Sequence, residues 1–148
     1  MLKIKALSSL VKVFSDEEPK AKEFDRVSIF RNEKASMQLA LNSDVDCKLS
    51  VEINSDLQDA IKLCVVEEIY SGMPVAKTQD DYTLRKEAGK FPELLRPMDK
   101  EVDLTAGEWK SLWISLDCQS LISAGEHKVE VVLSGEGIEE RRGLTFDV

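Results

Sequence analysis

Apolar and polar residues alternate along most of this chain. Leu2, Ile4 and Ala6 alternate with Lys3 and Lys5, and Val11 and Val13 continue the pattern past Ser8 and Ser9. Residues 26–30 (RVSIF) form a short apolar run. Ala35, Met37, Leu39 and Leu41 then alternate with Ser36, Gln38 and Asn42, and Leu49, Val51 and Ile53 alternate with Lys48, Ser50 and Glu52. Successive side chains of a strand point to opposite faces, so a period of two is what a half-buried antiparallel strand requires. The same signal returns in 109–116 (WKSLWISL), 127–133 (HKVEVVL) and 138–148. The last two flank Ser134-Gly135-Glu136-Gly137, which predicts a hairpin turn.

Two stretches break the pattern. In 55–70, Leu57, Ala60, Ile61, Cys64, Val65 and Ile69 sit at helical spacing after Ser55, yet Val65-Val66 and Ile69-Tyr70 suit a strand. Pattern alone predicts a turn or short helix over 55–62 and a strand over 62–70. Residues 71–101 carry Gly72, Pro74, Gly89, Pro92 and Pro97 among dense charges. They read as a long loop excursion, a feature more often functional than idle. Many short strands, many turns and almost no helix give an all-β fold: a two-sheet antiparallel β-sandwich with an excursion over about residues 71–101. Leu39, Leu41, Val51, Leu112, Ile114, Val129 and Val131 are its expected core.

The chain has 148 residues, enough for one domain (1–148) with a core that needs no disulfide or metal. Acids outnumber bases 28 to 20, for a net charge of −8. Clustered Lys and Arg are what phosphate binding needs, so no nucleic acid and no anionic membrane is an expected partner. No apolar run approaches the roughly 20 residues that span a bilayer. Cys47, Cys64 and Cys118 are odd in number and include no C-x-x-C pair, so they read as buried thiols of a reducing compartment. No signal peptide is visible, which places the chain in the cytoplasm as an expectation.

Candidate chemistry is sparse. His127 has no partner in a recognisable nucleophile motif and reads as an exposed structural histidine. Gly135-x-Gly137 lacks the third glycine of a dinucleotide fingerprint. Asp16-Glu17-Glu18 and Asp80-Asp81 lack the spacing that gathers oxygens around calcium and read as solvated charge. No catalytic residue, cofactor or metal site is expected. Trp109, Ser111, Trp113 and Ser115 share one face of their strand, opposite Leu112, Ile114 and Leu116. That leaves two indoles roughly 13 Å apart on the face turned away from the core. They either stack on a sugar or are covered by the excursion or a neighbouring domain.

Four segments in order resemble a known family. Phe30-Arg31-Asn32-Glu33 with Gln38-Leu39-Ala40-Leu41, residues 71–76 (SGMPVA), 80–97 (DDYTLRKEAGKFPELLRP) and 106–116 (AGEWKSLWISL) are similar to the amino-terminal β-sandwich of glycoside hydrolase family 123. Ala88, Phe91 and Glu93 depart from its pattern, which has Pro, Tyr and Asp there. The resemblance implies a strand at 62–70. It also implies a longer protein, in which a (β/α)₈-type catalytic domain follows in the same chain and carries an Asp-Glu pair. Such a domain cleaves N-acetylgalactosaminides with help from the substrate's own acetamido group. The chain then reads as an ancillary sandwich whose first expected partner is that domain and whose second is a carbohydrate. An independent carbohydrate-binding module and a structural interaction domain are the alternatives. Tyr82, Leu84, Phe91, Leu94, Leu95, Trp109 and Trp113 are the expected interface, rimmed by Asp80, Asp81, Arg85, Lys86 and Arg96. The other reading of the excursion is that it folds back and buries its aromatics.

Overall fold

A computed structural model describes residues 1–72, 81–118 and 122–148. Among the described residues ten strands follow one another: β1 Leu2–Ser8, β2 Arg26–Ser28, β3 Lys34–Ser43, β4 Cys47–Asn54, β5 Ile61–Ser71, β6 Gly89–Pro97, β7 Glu101–Leu104, β8 Trp109–Asp117, β9 Glu126–Gly135 and β10 Ile138–Asp147. They form two five-stranded sheets, ordered β1-β3-β8-β5-β6 and β2-β10-β9-β4-β7. The fold is the expected sandwich. Every pairing between strands is antiparallel except β2 beside β10, which is parallel.

Alternation explains the core. On β8, Leu112, Ile114 and Leu116 are wholly buried, and they pair across β3 and β5 with Leu39, Met37, Ala35, Val65, Leu63 and Ile61. From the other sheet come Leu49, Val51, Val129, Val131, Leu133, Leu144 and Phe146, all at most 1% exposed. All seven residues expected in the core lie in this one cluster.

The turn or short helix expected over 55–62 is a 3₁₀ turn, Gln58–Ala60, and the strand expected over 62–70 is β5. Two expectations need correction. The excursion is shorter than 71–101, because β6 and β7 occupy 89–97 and 101–104. Pro92 and Pro97 are tolerated because β6 ends its sheet, where a missing N–H leaves no ladder bond unmade. His127 is not exposed but 6% accessible. Its Nδ1 lies 2.8 Å from Asp56 Oδ2 and its Nε2 lies 3.0 Å from the Ser123 carbonyl oxygen. Both neighbours are acceptors, so both ring nitrogens donate and the imidazolium is favoured. The Ser123 carbonyl is the main cause of its raised pKa, with Asp56 adding to it against burial.

The β9–β10 hairpin is the one predicted. Gly135 pairs with Ile138, which leaves Glu136 and Gly137 as a two-residue loop with φ of 48° and 80°. Positive φ at both positions is the primed turn that matches strand twist. Gly135 itself has φ 155°, and a Cβ there would sit 2.5 Å from the Lys48 carbonyl oxygen, so only glycine fits.

The registers define two ends. The upper end holds the β3–β4, β7–β8 and β9–β10 turns, the end of β5 and the start of β6. The lower end holds the β2–β3 and β4–β5 connections, the end of β8, the start of β9 and Val148.

Candidate functional site

The outer face of the β1-β3-β8-β5-β6 sheet is covered in part by its own chain. Residues 9–25 form a strap between β1 and β2 that lies over a second apolar cluster of Leu7, Val13, Ala40 and Trp109, with Val11 and Ala21 at its margin. One buried side chain fastens the strap. Gln38 on β3 donates from Nε2 to the carbonyls of Ser8 (2.8 Å) and Val11 (2.7 Å), and its Oε1 accepts from Ser111 Oγ at 2.6 Å. Higher up, Trp109 N–H donates to the Ser15 carbonyl at 2.8 Å, and Glu68 accepts from the Ser15 N–H (3.0 Å) and hydroxyl (2.8 Å).

Trp109 is therefore covered by the strap. It is 7% exposed, and Lys5 Nζ lies 5.6 Å from its ring centroid while also bonding the Pro19 carbonyl at 3.0 Å. Neither the excursion nor a second domain is needed to cover it. Trp113, two pleat repeats further down the same face, is half-buried, with its Nε1–H on Ser115 Oγ at 3.0 Å. It lines a groove of about 180 Å³ with Val66, Pro92, Leu95 and Val11.

The strap also meets the chain ahead of β6. Phe14 packs edge-on to Phe91 (5.9 Å between centroids), and the Arg85 guanidinium lies 3.6 Å from the Phe14 ring centroid. Arg85 grips both carboxylate oxygens of Asp16, at 3.1 and 2.5 Å. That pairing holds the Asp16 carboxyl below its ordinary range and raises the Arg85 pKa further. Beside them opens a cavity of about 740 Å³, lined by Leu84, Arg85, Phe91, Lys90, Glu68 and Asp16 among others.

Of the seven expected interface residues, Tyr82, Leu84, Leu94 and Leu95 are exposed, by 88%, 71%, 48% and 43%. Phe91 and Trp113 are half-buried and Trp109 is buried. The fold brings Leu84 to Phe91 at the cavity and Leu95 to Trp113 in the groove. Of the rim, Arg85 is tied to Asp16 and Arg96 to Glu67 at 2.7 Å, Asp81 and Lys86 are exposed, and Asp80 lies outside the described residues, as do residues 73–76 of the SGMPVA segment. Asp16, Glu17 and Glu18 are exposed but paired with Arg85, Lys20 and Lys5 respectively. The sequence reading missed Phe14, beside Val13, and Gln38, whose amide lies on the outer face of its sheet beneath the strap and is marked by no local pattern.

Glycoside hydrolysis needs a carboxylic acid of raised pKa placed against a second carboxylate. Three acids line the cavity: Asp16, whose carboxyl Arg85 holds below its ordinary range, Glu68, which accepts from the Ser15 N–H and hydroxyl, and the exposed Glu87. Among the described residues, no group of three or more His, Cys, Asp or Glu side chains could hold a metal ion. No helix among them is long and apolar enough to cross a membrane.

No family model matches the chain, and no curated protein does. Among solved structures, the C-terminal domain of the Streptococcus agalactiae AgI/II polypeptide BspA matches over 100% of this chain and 50% of its own, at 11% identity and a TM-score of 0.49. That overlap is too loose to argue from. A family 123 glycoside hydrolase from Clostridium perfringens, described for glycolipid glycan hydrolysis, matches at a TM-score of 0.77 and 10% identity. That match covers 100% of this chain and 27% of the hydrolase chain, so the chain has the fold of part of a much longer glycoside hydrolase.

Proposed function

We propose that the chain is a non-catalytic ancillary sandwich of a glycoside hydrolase, packed against a catalytic domain that acts on N-acetylhexosaminides. The observation that supports this is the extent of the structural likeness: all of this chain matches 27% of the hydrolase's chain. A fold alone does not carry function. The cavity is compatible with the proposal: of its three acids, Asp16 and Glu68 are engaged by Arg85 and Ser15, and Glu87 is exposed.

The surface offered to the catalytic domain is the one built by Tyr82, Leu84, Leu94 and Leu95, with Phe91 and Trp113 behind them. An apolar centre with Arg85, Lys86 and Arg96 around it has the composition of a protein interface. A second reading rests on Trp113: an indole fixed by Ser115 beside an open groove also suits stacking on a pyranose.

Turnover of aryl N-acetylhexosaminides tests the proposal. The full gene product carrying this chain should hydrolyse them, and purified residues 1–148 should not. Hydrolysis by residues 1–148 that a substitution within them abolishes would overturn it. Titration of N-acetylhexosamines against residues 1–148 separates the second reading, because only stacking shifts the Trp113 indole resonance.

A further inference from the structure

β2 pairs with β10 only at Thr145, Phe146 and Asp147. Above them, among the described residues, no strand lies beside residues 138–144 of β10 on that side. The lower part of the edge shows which main-chain groups are open. Thr145 N–H donates to the Asp25 carbonyl at 2.8 Å, and the Asp147 carbonyl accepts from Ile29 N–H at 2.9 Å. The alternation of an antiparallel ladder then turns Glu139, Arg141 and Gly143 the same way, toward an empty position. Gly143 is exposed, and the exposure of a glycine is that of its main chain.

An open edge is a template for another strand, and charges placed on it usually repel one. Here the charges match. Glu139-Glu140-Arg141-Arg142 is neutral within a chain of net charge −8, and in an antiparallel copy acids meet bases. A copy centred on Arg141 sets Glu140 opposite Arg142 twice over, with Ile138 opposite Leu144 on the same face. Glu140 is exposed and has no ion-pair partner among the described residues. On the other face Glu139 meets Gly143, beside which a Cβ would find nothing within 4 Å. Arg141 meets Arg141 there, each already bonded to Glu130 and Glu139 of its own chain, both at 3.1 Å. A copy centred on Glu140 instead would stack two glutamates at the closer, non-hydrogen-bonded spacing. One centred on Arg142 would stack two arginines and call on Thr145, which β2 already uses.

We propose that residues 138–144 of β10 are a self-complementary edge on which a second copy of this chain pairs, antiparallel, about a two-fold axis at Arg141. Glu139, Arg141 and Gly143 of each copy exchange main-chain hydrogen bonds with Gly143, Arg141 and Glu139 of the other. The arrangement uses each edge once, so it closes at a dimer. It is independent of the functional reading: β10 lies beside β1, whereas β6 is at the opposite edge of the β1 sheet.

Sedimentation velocity on the 148-residue chain, with hydrogen exchange at the same concentrations, tests this. The chain should dimerise as concentration rises, and the Glu139, Arg141 and Gly143 amides should gain protection with it. Glu140→Arg should weaken the dimer at least about tenfold, because two attractive cross-strand pairs become repulsive. Arg142→Glu should weaken it from the other side of the pair. An equimolar mixture of the two variants should dimerise again, since each supplies the charge the other lost, and a variant that merely failed to fold would not recover. Arg141→Pro removes the N–H at the axis and should abolish pairing. A chain that stays monomeric up to about 1 mM overturns the proposal. So does a dimer that Glu140→Arg and Arg141→Pro leave intact, or a mixture of the two folded charge variants that stays monomeric. Protection of the three amides in a monomeric species would give the edge to another occupant and overturn it as well.

Discussion

Replacing Gln38 by Met tests how the strap is held. The two side chains are similar in length, so the substitution removes hydrogen bonds rather than volume. Gln38 is 2% exposed and makes three hydrogen bonds: to the Ser8 carbonyl, to the Val11 carbonyl and from Ser111 Oγ. At about 1 kcal/mol net each they total about 3 kcal/mol. The loss is not shared evenly. Ser8 and Val11 are half-buried and their carbonyls can take up water, whereas Ser111 is 2% exposed and its hydroxyl is stranded. A stranded buried hydroxyl costs about 1–3 kcal/mol, so the whole effect should fall near 2–4 kcal/mol. Removing the stranded group should recover part of it: Gln38→Met with Ser111→Ala should cost about 1–2 kcal/mol less than the sum of the single substitutions. Urea unfolding measures these energies, and hydrogen exchange at the amides of Val11 and Trp109 reports whether the strap itself loosens, because the Val11 amide ties the strap to the Ser8 carbonyl of β1 and the Trp109 amide bonds the strap carbonyl of Ser15. A cost under about 1 kcal/mol with unchanged protection of those two amides would refute the idea that Gln38 fastens the strap.

Ile114→Ala, at a side chain with no exposure between Met37 and Leu63, should cost about 2–5 kcal/mol and lower the melting temperature by roughly 5–15 °C, read by circular dichroism. Gly135→Ala should cost about 1–3 kcal/mol because its Cβ meets the Lys48 carbonyl, whereas Gly143→Ala, with nothing within 4 Å, should stay within about 0.5 kcal/mol. The two measured side by side show whether the cost belongs to the hairpin or to any glycine. The His127–Asp56 tie should depend on pH in both directions. The raised His127 pKa gives stability that is complete below about pH 6.5 and fades as pH rises through the folded value, while the lowered Asp56 pKa gives stability that is lost below about pH 4. Denaturation midpoints from pH 4 to 9 should therefore decline at the alkaline end for the natural chain and flatten there in His127→Gln.

Strands were legible wherever one face meets the core and the other meets water. Met37, Leu39 and Leu41 on β3 and Leu112, Ile114 and Leu116 on β8 show it, since the buried set recurs at every second position. The fold hides what depends on distant parts of the chain. β6 reads as loop because its prolines and charges are tolerated only at a sheet edge, and an edge is a property of the assembled sheet. Trp109 and Trp113 look equivalent on β8, yet only the first is buried under the strap, and the strap's own apolar residues Val11, Val13 and Phe14 do not say which sheet face it will cross. His127 looked exposed because it opens a strand after a turn; its burial comes from Asp56, seventy-one residues away, and from the Ser123 carbonyl.

The prolines of β6 also bear on how the protein behaves when concentrated. An unpaired strand edge is a template on which other chains add, and fibril growth needs roughly six or seven consecutive residues free to pair. On β6, only Glu93, Leu94, Leu95 and Arg96 lie between the two residues that lack an N–H, Pro92 and Pro97. The Pro92 carbonyl is occupied as well, by Lys12 Nζ at 3.3 Å. The exposed leucines thus sit on a segment too short to nucleate a cross-β stack. Apolar surface at that edge is in this way kept from pairing, strand to strand, with further copies of the chain.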